Sequence, residues 1–425
     1  MSAPSRGVSA RHLALLYFVH FTGFGVFVPF VPVWYEARGF DARSLGLLLA
    51  TPPLVGIVAP FVVGLVADAT GLRARLMSAA AIVAALAALG MAGALLLPPA
   101  LQLPALIAAV ATFAVARTPL FGLTDVIALE TLGGQRARYG RLRLFGSLGF
   151  LCAVVLFPML TSARLHHVLP CAVAAAYVAT FLVSRTLPRT TTKLGFDLAG
   201  SLRMIGANAP FFAALLLWQL GYAAYDSTFT RHLEALGVAR ELSGVVWGVG
   251  VVAEVALMAA APVILQRVPA RTLMLVALAA SAARWAGTAF AATIVHVLLL
   301  QLLHAVSFGL LWTVANSELH SVASANAPLT TPRAGSSLSA LRADRALMAG
   351  GVAASSSSTE AGVAPQSAVR LATAQGAMTT SVALGSALGM FTWPTVYAER
   401  GAAYVFGGGA AAAALAFGIV ALTRR

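Results

Sequence analysis

Twelve apolar runs recur along the 425 residues, near 13–34, 44–66, 76–97, 103–129, 140–160, 166–187, 209–233, 243–264, 271–292, 294–319, 369–397 and 402–422. About 20 residues at 1.5 Å each cross the ~30 Å of hydrocarbon in a bilayer. No water reaches the backbone there, so each run must close its own hydrogen bonds as a helix. Only 10% of the residues are charged and 60% are hydrophobic, against roughly 25% charged in a soluble domain. These runs predict an all-α polytopic membrane protein of twelve transmembrane helices in two six-helix halves. The halves span 1–187 and 209–425, with a connector at 188–208. The N-terminal MSAPSRGVSARH is too short and polar for a signal peptide, so the first run is expected to be a retained span.

The net charge of +14 sits in short loops, not in a basic domain. Nucleic acid is therefore not an expected partner. On the side of the termini lie 19 Lys and Arg residues, against 6 on the other, with Arg117, Arg143 and Arg284 inside spans. The excess places both termini in the cytoplasm, and the plasma membrane is the expected location. Cys152 and Cys171 fall in apolar runs and form no framework. The segment 321–366, with APLTTPRAGSS and AASSSSTEAG, is too polar and small-residue-rich to bury a core. It is expected to be a disordered cytoplasmic insertion.

Between the second and third runs stands GLVADATGLRAR, with Gly64, Asp68, Gly71, Arg73 and Arg75. This spacing resembles the loop motif of the major facilitator superfamily, which in that family clamps helix ends in one conformation. FVPFVPVWYEARGF, YGRLRLFGSLGF, GVGVVAEV, the RW at 284–285 and QLLHAVSFG at 301–309 extend the likeness to the lactose-permease and phenylpropionate-permease branch. Outside the insertion it covers nearly the whole chain. It implies a secondary transporter that works by alternating access.

Ionisable groups inside spans are rare and mark pathways or pair with one another. The set singled out here is Arg117, Asp125, Arg143, Asp226, Glu254, Arg284 and His304. An arginine at the centre of a bilayer helix costs about 2.5–3.5 kcal/mol on insertion scales, so Arg143 needs a reason to be there. It shares a helix face with Gly146, Ser147 and Phe150. Asp125 stands in the preceding, antiparallel span, and both charges lie roughly 6–8 Å inside their helix ends. They are 18 residues apart, the separation at which the lactose permease places a substrate-binding acid and arginine. The resemblance thus implies that Asp125 and Arg143 bind solute, with Phe150 where that permease stacks a tryptophan on sugar. Phenylalanine keeps the apolar face and drops the indole donor, so an aromatic or organic acid suits it as well as a sugar.

In the second half Glu254, Arg284 and His304 are about 12–16 Å deep. The resemblance assigns them proton coupling and gating. A glutamate three residues after the histidine takes part in coupling in the permease, and this chain has Ser307 there. Glu254 is then the expected proton carrier. Tyr225–Asp226 resembles a Tyr–Asp pair whose lysine partner is absent from 369–397. Asp226 is expected to pair with Arg117 or to face water, and Arg117 itself offers a cation to an anionic solute. The in-span set includes one histidine, with no HExxH or nucleophile–base motif, so the expectation is not an enzyme and no cofactor or metal. A monomer in the lipid bilayer moves a small solute and H+, and a uniporter or a transport-deficient sensor or scaffold is the alternative.

Overall fold

The computed structural model describes residues 10–70, 72–131, 136–161, 164–187, 198–325 and 366–423. The chain begins with α1 (Ala10–Glu36), α2 (Ala42–Thr70), α3 (Arg73–Ala94), α4 (Pro99–Thr131), α5 (Arg136–Thr161) and α6 (Leu165–Ser184). A short α7 (Leu198–Ala207) precedes α8 (Ala209–Ala235), α9 (Arg240–Arg267) and α10 (Ala270–Ala289). The next passage joins α11 (Ile294–Leu302), a π-helical stretch (Ala305–Leu310) and α12 (Leu311–Ala325), before α13 (Gln366–Arg400) and α14 (Ala402–Leu422). These helical passages coincide with the twelve apolar runs.

Ten of them are long and apolar enough to cross a membrane on their own. The other two, α8 and α13, have 27 and 35 residues, ample length for a span. Their lower hydropathy reflects their place: α8 packs on α1, α13 and α14 and buries Gln219, Ser227, Thr228 and Thr230. Leu86, Leu160 and Leu415 on other helices point outward, where lipid replaces water as the solvent. Lipid tails are as apolar as leucine, so small residues and hydrogen bonds hold the helices together here.

Two sequence expectations change. The passage of α12 continues to Ala325, so the insertion begins later than 321. Alanine and the lack of a breaker across SVASA keep the helix going. Its remainder, 326–365, lies outside the described residues. The 188–208 connector carries α7, whereas 188–197 lie outside the described residues.

Within the first half α1 packs on α5 and α6, and α3 on α4 and α6. The two halves meet through α2 against α13, α5 against α9 and α1 against α8. The described chain starts and ends on one face of the bundle, and the closest backbone approaches between halves among the described residues lie toward the opposite face. A Cβ added at Gly46 of α2 would overlap the Phe391 carbonyl of α13, and one at Gly244 of α9 would overlap the Val154 carbonyl of α5. Only glycine permits these backbone approaches. Thr230 donates to the Pro29 carbonyl across the halves at 2.6 Å and accepts from Trp247 Nε1 at 3.1 Å. Arg231 pairs with Glu36 at 2.9 Å and lies over the Tyr397 ring, 4.6 Å from Cζ to centroid. The face away from the termini is thus closed.

Leucine at position 244 must force α5 and α9 apart. In a Cys152→Ser, Cys171→Ser background, Gly244→Leu is expected to raise labelling of a Thr230→Cys reporter at least five-fold. The label is a membrane-impermeant maleimide added from that face. Unchanged labelling would show that the glycine contact does not hold the face shut.

Candidate functional site

The first cluster is built by α1, α4 and α5. Gly149 sets the α1–α5 spacing, since a Cβ there would overlap the Phe18 carbonyl. Gly146 lets the Phe21 ring approach α5 to about the van der Waals limit, with a hypothetical Cβ only 3.0 Å from Phe21 Cδ2. Along the same face of α5, Arg143 Nη1 reaches Asp125 Oδ2 of α4 at 3.4 Å. Tyr17 of α1 donates its hydroxyl to Asp125 Oδ1 at 2.6 Å. The expected pair is therefore brought together, and Tyr17 joins it. The side chains of Arg143 and Asp125 remain 41% and 32% exposed. A pair as open as this contributes about 0–1 kcal/mol to stability, less than the insertion cost of the arginine alone. Ser147 and Phe150 are half-buried on that face, and the Phe150 ring lies 5.8 Å from the ring of Phe24.

Arg117 stands deeper in α4, its Cζ 5.3, 5.8 and 5.9 Å from the ring centroids of Phe24, Phe113 and Phe121. A cation over an aromatic face gains about 0.5–2 kcal/mol, and the three rings together give Arg117 a real but incomplete substitute for water. The structure does not pair it with Asp226. That residue is on α8 in the second half, where the cation acting on it is Arg284. The two arginines stand in different halves.

In the second half Glu254 of α9 approaches His304, Oε2 to Nε2, at 3.3 Å, with the side chains 20% and 6% exposed. Gly309 in the π-helical stretch makes room for this acid, because a Cβ there would lie 2.8 Å from Glu254 Cγ. Arg284 is buried and is not in a carboxylate pair among the described residues. It donates to Gln301 Oε1 at 2.6 Å and to Ser307 Oγ at 3.3 Å. Its guanidinium also stacks between Tyr225 and Trp285, at 4.5 and 4.4 Å. Gln301 then donates to Tyr225 Oη and the Val246 carbonyl, each at 3.0 Å. Tyr225 is thereby part of the packed interior of the second half. Ser307 plays a structural part, for its hydroxyl receives Arg284 and its carbonyl accepts from Trp218 Nε1 and Ser281 Oγ. A π-turn leaves its backbone acceptors misaligned for the usual ladder, and side-chain donors make up the difference.

The loop motif is described in part. Gly64 and Asp68 are within α2 and Gly71 is outside the described residues. Arg73 is buried at the start of α3. Arg75 is exposed and lines a cavity of about 370 Å³ with Ser78, Ser184 and Arg185. Sequence reasoning missed Tyr17, Gln301 and the buried His20 of α1. Gln301 carried a signal, since it stands three residues before His304 and so shares its helix face.

Twelve helical passages in two halves, with ionisable groups gathered inside the bundle, define a transporter of the major facilitator type. The chain belongs to the MFS_1-like family, whose model matches residues 10–331. Over 307 residues it is 28% identical to a probable 3-phenylpropionic acid transporter of Escherichia coli K12, covering 71% of this chain and 79% of that protein. Over 293 residues it is 29% identical to a maltose permease of Geobacillus stearothermophilus, covering 66% and 71%. The solved structure of the nucleoside transporter NupG superposes with a TM-score of 0.74 over 98% of this chain and 99% of that one, at 16% identity, a likeness of fold. The protein is accordingly an integral, multi-pass membrane protein of a family of small-solute transporters.

Gln301→Leu strips Arg284 of its shortest hydrogen bond and leaves a buried charge under-satisfied. It should cost on the order of 3 kcal/mol, read as a lower thermal-unfolding midpoint in detergent. Tyr17→Phe, beside an exposed pair, should cost about 1 kcal/mol or less. Equal midpoints for the two variants would remove Gln301 as the anchor.

Proposed function

We propose that the protein is a proton-coupled symporter that moves a small organic solute, an aromatic or other organic acid or a sugar, by alternating access. Asp125, Arg143, Ser147 and Phe150 receive the solute from the first half, and Arg117 offers a second cation to an anionic one. Glu254, Arg284 and His304 couple protonation to the conformational change, and Asp226 lies along the pathway. The loop motif Gly64, Asp68, Gly71, Arg73 and Arg75 holds one conformation. The two six-helix halves, 1–187 and 209–425, rock about the site between them. The chain acts as a monomer in the plasma membrane with both termini in the cytoplasm, so the closed face described above is the outer one.

The observation that carries the reading is the Glu254–His304 contact at 3.3 Å. Two titratable groups share one short contact deep in the bundle, beside a π-helical stretch. A proton on one changes what the other can do, and the π-helical stretch begins at the residue after His304. Histidine and carboxylate are both groups that take up and release a proton, the chemistry that coupling requires. The half-open Asp125–Arg143 pair supports the solute side, because it gains too little from pairing to be there for stability. The names of the relatives, an aromatic-acid transporter and a sugar permease, bracket the solute class.

In proteoliposomes with an imposed proton gradient, Glu254→Gln is expected to cut uphill accumulation at least ten-fold while exchange across the membrane stays within two-fold of wild type. Proton movement should accompany solute uptake in the unaltered protein. Uptake without proton movement would make it a uniporter, and full accumulation by Glu254→Gln would dismiss that residue as the carrier.

A further inference from the structure

Of the buried polar atoms in the first half without a hydrogen-bond partner among the described residues, four lie together. Both ring nitrogens of His20 on α1 are unbonded, as are the Tyr177 hydroxyl on α6 and Nε of Arg117 on α4. His20 and Tyr177 are each 0% exposed. Their rings are 6.0 Å apart. The Arg117 charge acts on both residues. His20 meets the Phe121 ring at 4.5 Å and Tyr177 meets Phe113 at 5.4 Å, two of the rings that hold the guanidinium. Buried polar groups are satisfied in more than nine cases in ten. So many unsatisfied atoms from three helices in one place mark a group that belongs there.

The chemistry of the cluster selects the group. Arg117 is donor-only and cationic, tyrosine readily donates, and a neutral histidine donates from one nitrogen. These donors converge on a place without an acid, which suits a carboxylate and ill suits a polyol that must also donate. The cluster also has an approach. Arg117, Phe24, Phe121 and Phe150 are half-buried. Phe24 bridges Phe121 at 5.3 Å and Phe150 at 5.8 Å. Phe150 in turn stands on the Arg143 face of α5. An apolar path of three rings therefore runs from the open ion pair to the buried donors.

We propose that Arg117, His20 and Tyr177 bind the carboxylate of an aryl carboxylate solute, whose ring lies against Phe24, Phe121 and Phe150. The proposal rests on the transport reading above and narrows its solute to an aromatic monocarboxylate. His20 and Tyr177 become binding residues that the loop, helix-face and ion-pair arguments left unused. Arg143 and Asp125 then guard the entrance to the site, and the negative charge of the solute supplies the counter-ion that Arg117 lacks.

The test is calorimetric binding of 3-phenylpropionate and of its neutral amide, 3-phenylpropanamide, to the purified full chain at one pH. Wild type should bind the carboxylate at least ten-fold more tightly than the amide. Tyr177→Phe and Arg117→Gln should each reduce that preference at least five-fold; Arg117→Lys should retain part of it. Tyr177→Phe removes a single oxygen and carries the test if Arg117→Gln does not fold. Equal affinities in wild type, binding of neither probe, or variants that keep the full preference would each overturn the subsite. The last result is that expected if ordered water alone fills the cluster. Proton-coupled uptake of another solute in proteoliposomes would survive any of these results, so the two readings fail separately.

Discussion

Everything in this bundle is arranged around the cost of putting charge where water is scarce. An ion moved into a protein interior loses several kcal/mol of hydration even after relaxation, and this chain carries acids and arginines of both halves inside its spans. The structure meets that cost in three different ways. Arg284 is surrounded by neutral acceptors and ring faces. Glu254 and His304 share a contact. Asp125 and Arg143 form a half-buried pair that Tyr17 joins.

The same constraint orders the helices. Polar α8 is buried among α1, α13 and α14, and other helices turn leucines outward. Glycines at 46 and 244 bring the halves into backbone contact at the face away from the termini. Closure there leaves the ion pair of the first half as the more open chemistry. One face is thus held by packing, and the Asp125–Arg143 pair is less buried than the Glu254–His304 pair.

Much of this was legible in the sequence, for reasons that differ by residue. The helical passages follow from run length alone, because a bilayer admits few other structures. Asp125 and Arg143 were legible because antiparallel neighbours place charges at one depth by simple counting. Glu254 and His304, 50 residues apart, were found through family likeness, since no local rule joins helices so far apart in the chain. Tyr17 and Gln301 were missed because neutral polar residues carry no insertion penalty large enough to stand out. The pairing of Asp226 with Arg117 failed because it required the two halves to present those side chains to each other. The contacts of Tyr225 with Gln301 and Arg284 join three different helical passages, which no local sequence rule relates.

The central claim is that the Asp125–Arg143 pair exists to bind solute and not to stabilise the fold. The most direct measurement compares uptake and thermal midpoint for Asp125→Asn, Arg143→Gln and the double variant, using 3-phenylpropionate or maltose, whichever the wild type accumulates. The account predicts that all three lose at least ten-fold in uptake while their midpoints stay within a few degrees of wild type. A double variant that recovers both stability and uptake lost by the single variants would mean that the pair is structural, and would contradict it.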